Sequence, residues 1–254
     1  MMPTIDLNAD LGEGYGPWAM GDDAAMFGLI SSASVACGGH AGDAETMFAS
    51  LNLAQQHGVT VGAHPGYADK AGFGRRVIPM TAGEIGRMVA GQMGALLAIA
   101  ALTGRRVRYI KPHGALANLA AVDADVAEAI LAATRAVDPD LAVLAISGTM
   151  LEQRAATRGF AVYSEIFADR GYLPNGQLVP RQHQGAMIHD PETALSRLLR
   201  FMDSGRMAVV DGPPIALRAQ SICVHGDNPQ AVGMARRIRE GLAAQGVTIR
   251  CFVG

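Results

Sequence analysis

The chain has 254 residues, a mass of 26.5 kDa and 50% apolar content, enough to bury a continuous core and to exclude a disordered chain. Against 23 acidic residues stand 21 basic ones, a net charge of −2, and the bases are scattered, so the electrostatic footprint of a nucleic-acid binder is absent. The three cysteines, Cys37, Cys223 and Cys251, are too few for a disulfide framework and fit a reducing compartment.

The sequence opens Met1-Met2-Pro3 and reaches a strand-like run by Thr4, which predicts no signal peptide and a cytoplasmic protein. Strands are expected at residues 4–8, 33–37, 59–63, 107–111, 141–146, 161–166, 221–225 and 248–253. Helices with clear starts and stops lie between them. One runs from Asp43 to His57 before Gly58. Another opens on a Thr81/Glu84 capping box and reaches Gly104, and a third runs from Asp123 towards Pro139. Asp190-Pro191 and Asn228-Pro229 open two more, which stop at Gly205 and Gly246. The uncharged stretch from Met88 to Gly104 is short for a membrane span and contains Gln92, so it predicts a buried packing helix and no membrane association. Gly212-Pro213-Pro214 predicts an irregular excursion over residues 206–217.

The order is β-α throughout, without linker or low-complexity tract, and eight repeats of about 32 residues match a single-domain parallel barrel over residues 1–254. A doubly wound sheet would gather its ligand chemistry at one switch point. Here polar signals recur after nearly every strand, which favours a closed or nearly closed barrel.

Histidines end four strands or open the loops after them: His40, His64, His113 and His225. Parallel strands of a barrel end on one face, so these side chains are expected to converge there, beside glycines that let backbone approach a ligand. Asp6, Asn8 and Asp10 alternate on strand one ahead of Glu13, and Asp10 is the acid–base candidate; Asp6 reads as a turn cap or the partner of a buried arginine. Lys111 is the one lysine within a strand, either a clamp for a developing oxyanion or phosphate or the salt-bridge partner of a carboxylate. Arg181 suits bidentate reading of a substrate carboxylate; equally, Arg170 and Arg181 suit pairing with Glu165 and Asp169. His57 reads as a helix-end residue, Met20, Met26, Met80, Met88 and Met93 as core filler, and Cys37 as a weak nucleophile. Only two lysines occur, Lys70 before Ala71 and Lys111 before Pro112, so no Gly-Lys-Ser/Thr phosphate loop is present.

Several motifs together resemble the LamB/YcsF family: Asp6-Leu7-Asn8-Ala9-Asp10-Leu11-Gly12-Glu13, Cys37-Gly38-Gly39-His40-Ala41-Gly42-Asp43, Gly62-Ala63-His64-Pro65-Gly66-Tyr67, Gly72-Phe73-Gly74-Arg75-Arg76, Lys111-Pro112-His113-Gly114 and Val224-His225-Gly226-Asp227. The match spans nearly the whole chain in the same order. The resemblance implies a distorted (β/α) barrel of seven or eight strands, similar to that of glycoside hydrolases and polysaccharide deacetylases. It also implies ATP-dependent opening of the 5-oxoproline lactam to glutamate together with B and C subunits; because no phosphate loop is present here, ATP, the co-substrate, is expected to be bound mainly by those partners. Asp10, His40, His64, Lys111 and His113 sit in matching motifs. In the expected chemistry Asp10 is the base, Lys111 the clamp and His64 or His113 the acid for the ring nitrogen, while Asn8, Glu13, His40, Glu165, Arg181, His225 and Asp227 bind substrate. Many relatives carry Cys at position 9 and Tyr at 117; the alanines found here exclude a mechanism that needs either group.

Two other readings use the same residues. In a metal-dependent amidase or sugar deacetylase, Asp10, His64 and His113 would hold a divalent ion that activates water, although no His-x-x-x-His helix signature is present. A non-catalytic protein of this kind would bind the small acid and present it to its partners.

Overall fold

Strand β1 (Thr4–Leu11) alternates polar and apolar side chains, and residues 5–11 are all buried, so both of its faces line packed interiors. The computed structural model describes residues 3–225 and 230–253. After β1 come α1 (Asp23–Phe27), β2 (Ser32–Ala36), α2 (Ala44–His57), β3 (Thr60–His64), α3 (Ala82–Leu102), β4 (Val107–Ile110), α4 (Gly114–Ala120) and α5 (Ala124–Val137). The second half holds β5 (Ala142–Ile146), α6 (Met150–Thr157), β6 (Val162–Phe167), α7 (Pro191–Ser204), β7 (Arg206–Met207), β8 (Ile215–Ala216), β9 (Ser221–His225), α8 (Ala231–Ala244) and β10 (Thr248–Ile249).

Among the described residues, β1 to β6 and β9 pair in parallel around a closed ring, with β9 bonded to both β6 and β1. The barrel therefore has seven staves. The eighth expected strand survives as β10, which pairs only with Thr4 and Ile5; from Asp6 onward β9 occupies that edge of β1. The expected excursion is a small antiparallel hairpin, β7 with β8. Thr81 and Glu84 form the capping box, Asp43, Asp123 and Asp190 cap their helices, and Gly58 and Gly205 end theirs in the left-handed conformation. The expected helix start at Asn228-Pro229 lies outside the described residues.

The outward face of β1, with Leu7, Ala9 and Leu11, joins Ala33, Val35, Val61 and Ala63 in one apolar shell beneath the helices. Helix α3 is long and apolar enough to cross a membrane, and it turns Ile85, Val89, Met93, Leu96 and Ala100 into this shell and packs against α5. Met26 and Met93 are core filler as expected, but Met20 is exposed.

The inward face is polar. Past β10, the Phe252 ring packs on Tyr109 and Tyr163 and closes the end where the strands begin. Gly62 makes room for this plug, because a Cβ there would lie 2.2 Å from the Tyr109 ring. Asp6 neither caps a turn nor meets an arginine: Ser31 and Ser32 donate hydroxyl hydrogen bonds of 2.6 and 2.8 Å to its carboxylate, and Ser221 donates a third.

Burial pushes the Asp6 carboxyl from its ordinary 3.8 up to about 6, against the opposing effect of the three serines. A raised carboxyl pKa means that the folded state holds its proton longer than the unfolded chain. The group's stabilising contribution is therefore present below about pH 4 and lost as pH rises through about 6, a change on the order of 3 kcal/mol. Urea denaturation between pH 4 and 7 is expected to show this decline in the wild type, and subtraction of the Asp6→Asn profile isolates it. Parallel profiles would show that Asp6 ionises freely in the fold.

Candidate active site

Above Asp6 a column of polar side chains climbs the barrel interior to the ends of the strands. Asn8 donates from Nδ2 to Ser221 Oγ at 2.7 Å and to Glu165 Oε2 at 3.0 Å. Lys111, just past β4, lies at the centre of the column. Its ammonium donates to Asp10 Oδ1 at 2.9 Å and Asn8 Oδ1 at 3.1 Å, pairs with Glu165 Oε2 at 2.6 Å, and sits 3.2 Å from Cys223 Sγ. Burial alone would discharge the lysine, but Asp10 and Glu165 outweigh it and hold its pKa well above the ordinary value. The burial of Asp10 is likewise outweighed, by His64 and Lys111, and its pKa falls well below the carboxylate range. A permanent carboxylate thus meets a permanent ammonium. Cys37 and Cys223 are pushed up by burial, Cys37 to about 12, so neither is a thiolate nucleophile.

The histidines of β2, β3 and β4 meet beside Asp10. His64 Nδ1 lies 2.7 Å from the Lys111 carbonyl oxygen and His113 Nε2 lies 2.9 Å from that of Phe73. A carbonyl can only accept, so both of these nitrogens are donors. In the neutral rings the opposite nitrogens then carry lone pairs, yet His64 Nε2 and His113 Nδ1 face each other at 3.0 Å. Asp10 Oδ2, another acceptor, is 3.3 Å from His64 Nε2, and Glu13 Oε1 is 3.7 Å from His113 Nδ1. His40 stacks on His113 with ring centroids 3.6 Å apart and reaches Glu13 Oε1 from Nε2 at 3.1 Å. Burial holds His40 and His113 well below the ordinary imidazole pKa. Glu13, His40, His64 and His113 offer ligand atoms within 4.8 Å of one another, an arrangement suited to a metal ion.

Asp10, Glu13, His64, Lys111, His113 and Glu165 line one wall of a cavity of about 650 Å³ open at the strand ends. Leu144, Leu151 and Leu178 form an apolar wall, and Arg75, Arg170 and Arg181 also line the space. His225 donates from Nδ1 to Asp169 Oδ2 at 2.7 Å and accepts from Arg181 Nη2 at 3.1 Å, so an acid–imidazole pair orients this arginine. Arg170 instead donates to the carbonyls of Ala186 and Val179, and Glu165 pairs with Lys111 rather than with either arginine.

Of the residues expected to bind substrate, Glu13, Glu165, Arg181 and His225 reach the cavity. Asn8 and His40 stand one layer behind it, holding Lys111 and Glu13. Asp227 lies outside the described residues. Phe73 carries no chemical signal in the sequence; it is the one non-glycine residue with positive φ, 53°, among the described residues, and that backbone turn aims its carbonyl at His113. Gln92, the polar break in the apolar helix, clamps Gly66 after His64 by accepting from its N–H at 3.1 Å and donating to its carbonyl at 2.7 Å.

Both the sequence and the fold have known relatives. The LamB/YcsF family model matches residues 5–253. The A subunit of the 5-oxoprolinase of Gluconobacter oxydans is 48% identical over 249 residues, 98% of each chain, and its counterpart from Azorhizobium caulinodans is 49% identical over 253 residues, 99% of each. The crystal structure of the lactam utilization protein from Thermus thermophilus superposes with a TM-score of 0.92 at 43% identity, covering 98% of this chain and 100% of that one.

Lys111→Met leaves Asp10 and Glu165 buried without their cation and is expected to destabilise the fold by about 3–5 kcal/mol. The triple variant Lys111→Met/Asp10→Asn/Glu165→Gln, which removes the stranded charges, should regain most of that loss. Chemical denaturation measures both, and a loss for the single variant below about 1 kcal/mol would mean that water screens the cluster.

Proposed function

The chain belongs to the LamB/YcsF family, and from that premise we propose that it is the A component of an ATP-dependent 5-oxoprolinase, which opens 5-oxo-L-proline to L-glutamate together with B and C subunits. The observation that carries the reading is Asp10, kept ionised by Lys111 and touching His64, at the wall of a cavity large enough for a lactam bearing a phosphoryl group. In keeping with the free Cys37, Cys223 and Cys251, the reading places this work in a reducing cytoplasm.

An unstrained lactam resists water because ring opening sacrifices amide resonance. Transfer of the γ-phosphoryl group of ATP to the carbonyl oxygen makes the carbon electrophilic and releases ADP. Water then adds to that carbon while Asp10 accepts its proton, and the C–N bond breaks as the ring nitrogen takes up a proton, leaving an acyl phosphate. A second water releases phosphate and glutamate, so one ATP and two waters are consumed per lactam. The three donor directions of Lys111 are committed to Asp10, Glu165 and Asn8, so this lysine acts by positioning and charging Asp10. Arg181, braced by His225 and Asp169, is the group placed to take the substrate carboxylate, and Arg75 and Arg170 face the phosphoryl oxygens. His64 or His113, which meet beside Asp10, is the acid for the ring nitrogen.

Glutamate release from ATP and 5-oxoproline tests the reading. The purified chain alone is expected to be inactive or nearly so, and activity should appear when B and C subunits are added. Asp10→Asn in that mixture should fall by at least about 100-fold with its fold intact, the scale of losing an acid–base group. Robust glutamate release by the single chain would refute the division of labour. Substrate binding without turnover in the full mixture would make this a non-catalytic, substrate-presenting component.

A further inference from the structure

The space between His64 Nε2 and His113 Nδ1 poses a problem that the proposed reaction leaves open. Each ring is fixed by a backbone carbonyl on its far nitrogen, so two lone pairs point at each other at 3.0 Å, with Asp10 Oδ2 beside them as a third acceptor. Acceptors gathered in this way inside a protein repel unless a cation lies among them. A shared proton and a metal ion are the two solutions, and they differ in geometry and in charge.

A proton lies on the line between two nitrogens and does nothing for Asp10 Oδ2 or for Glu13 Oε1, 3.7 Å from His113 Nδ1. A tetrahedral ion with bonds of about 2.0–2.1 Å holds neighbouring ligand atoms about 3.3 Å apart. The observed steps, 3.0 Å from His64 to His113 and 3.7 Å from His113 to Glu13, scatter around that edge length, and the ligand atoms of all three residues lie within 4.8 Å of one another. The surroundings also have the form of a metal site: each imidazole donates its second N–H to a fixed carbonyl, and His40 orients Glu13 from behind.

We infer that Glu13, His64 and His113 bind one divalent transition-metal ion at the mouth of the barrel, with Asp10 Oδ2, 3.3 Å from His64 Nε2, beside the ion and free to act as the base. His40 is a positioning residue, since its ring lies parallel to that of His113 and its Nε2 is turned to Glu13. Two imidazoles and a carboxylate suit zinc, manganese or cobalt better than magnesium or calcium. All three ligands line the cavity, so the ion faces the substrate space and its water can supply the proton required by the ring nitrogen. That last role rests on the proposed lactam opening; the binding itself does not.

The test uses the purified full chain, stripped with a chelator and titrated calorimetrically with Zn²⁺, Mn²⁺ and Co²⁺ in separate runs, without ATP, lactam or partner subunits. One equivalent of ion per chain is expected, and Co²⁺ should give visible absorption bands of low-symmetry nitrogen and oxygen coordination. His64→Ala and His113→Ala should each weaken binding by more than about 100-fold, His40→Ala by about 10–100-fold as for an outer-shell partner, and His57→Ala, on helix α2, not at all. If circular dichroism shows that a histidine variant does not fold, Glu13→Gln carries the same expectation. Absence of binding by the folded wild type to all three ions would overturn the inference and leave a shared proton between the rings. So would binding that survives loss of His64 and His113. Either result leaves the glutamate-release assay free to succeed, so failure of the metal site and failure of the proposed reaction are distinguishable.

Discussion

A buried ammonium inside a closed barrel is the constraint on which the rest of this structure depends. Desolvating the Lys111 charge costs several kcal/mol, which attraction to a partner repays only when the geometry is close and every remaining donor is used. Asp10, Glu165 and Asn8 meet that condition from β1 and β6, on different sides of the interior. The interaction therefore ties the first half of the barrel to the second. It also explains why Asp10 stays charged beneath the protein surface, where an isolated carboxyl would take up a proton.

The seven-stave closure makes this arrangement possible. Because β9 bonds to β1 from Asp6 to Asp10, Ser221, Cys223 and His225 are brought level with the alternating acids of strand one. Small serines and the Asn8 amide fill the narrow polar middle, while aromatic rings fill the start of the barrel and leave the far end open. Both faces of the strands are packed, but with opposite chemistry: an apolar outer shell supplies the hydrophobic stabilisation, and the inner column supplies charge held by close hydrogen bonds.

Strands and capped helices were legible because their signals are local: alternation, Thr81 with Glu84, and glycine after His57. Helix α6 carried a comparable signal in Thr149 and Glu152 but is only eight residues long, and α4 begins at Gly114 with His113 as an N-cap that makes no side-chain cap hydrogen bond. The demotion of β10 was illegible, since its cause is competition with β9 for one edge of β1. In the site, convergence of His40, His64 and His113 followed from the rule that parallel strands end on one face. Their ranking did not. Placing His40 behind Glu13, and locking His113 on the Phe73 carbonyl, depends on loop conformations and ring orientations that no spacing encodes.

The same placement bears on how labour is divided in the proposed reaction. A phosphoryl-transfer site commonly needs a mobile cation that can follow the β- and γ-phosphates. This chain has two lysines, and both are committed: Lys111 within the barrel, and Lys70 over the Tyr15 ring at 3.2 Å, donating to the Gly42 carbonyl. What the cavity offers instead is a set of arginines on its lining and a charged base on its wall. Guanidinium groups hold a phosphoryl group by its oxygens, and a pre-ionised carboxylate needs only a water to act on an activated carbon. Such a cavity is equipped to receive a phosphorylated lactam and open it, a step in which the ammonium of Lys111 contributes by never leaving Asp10.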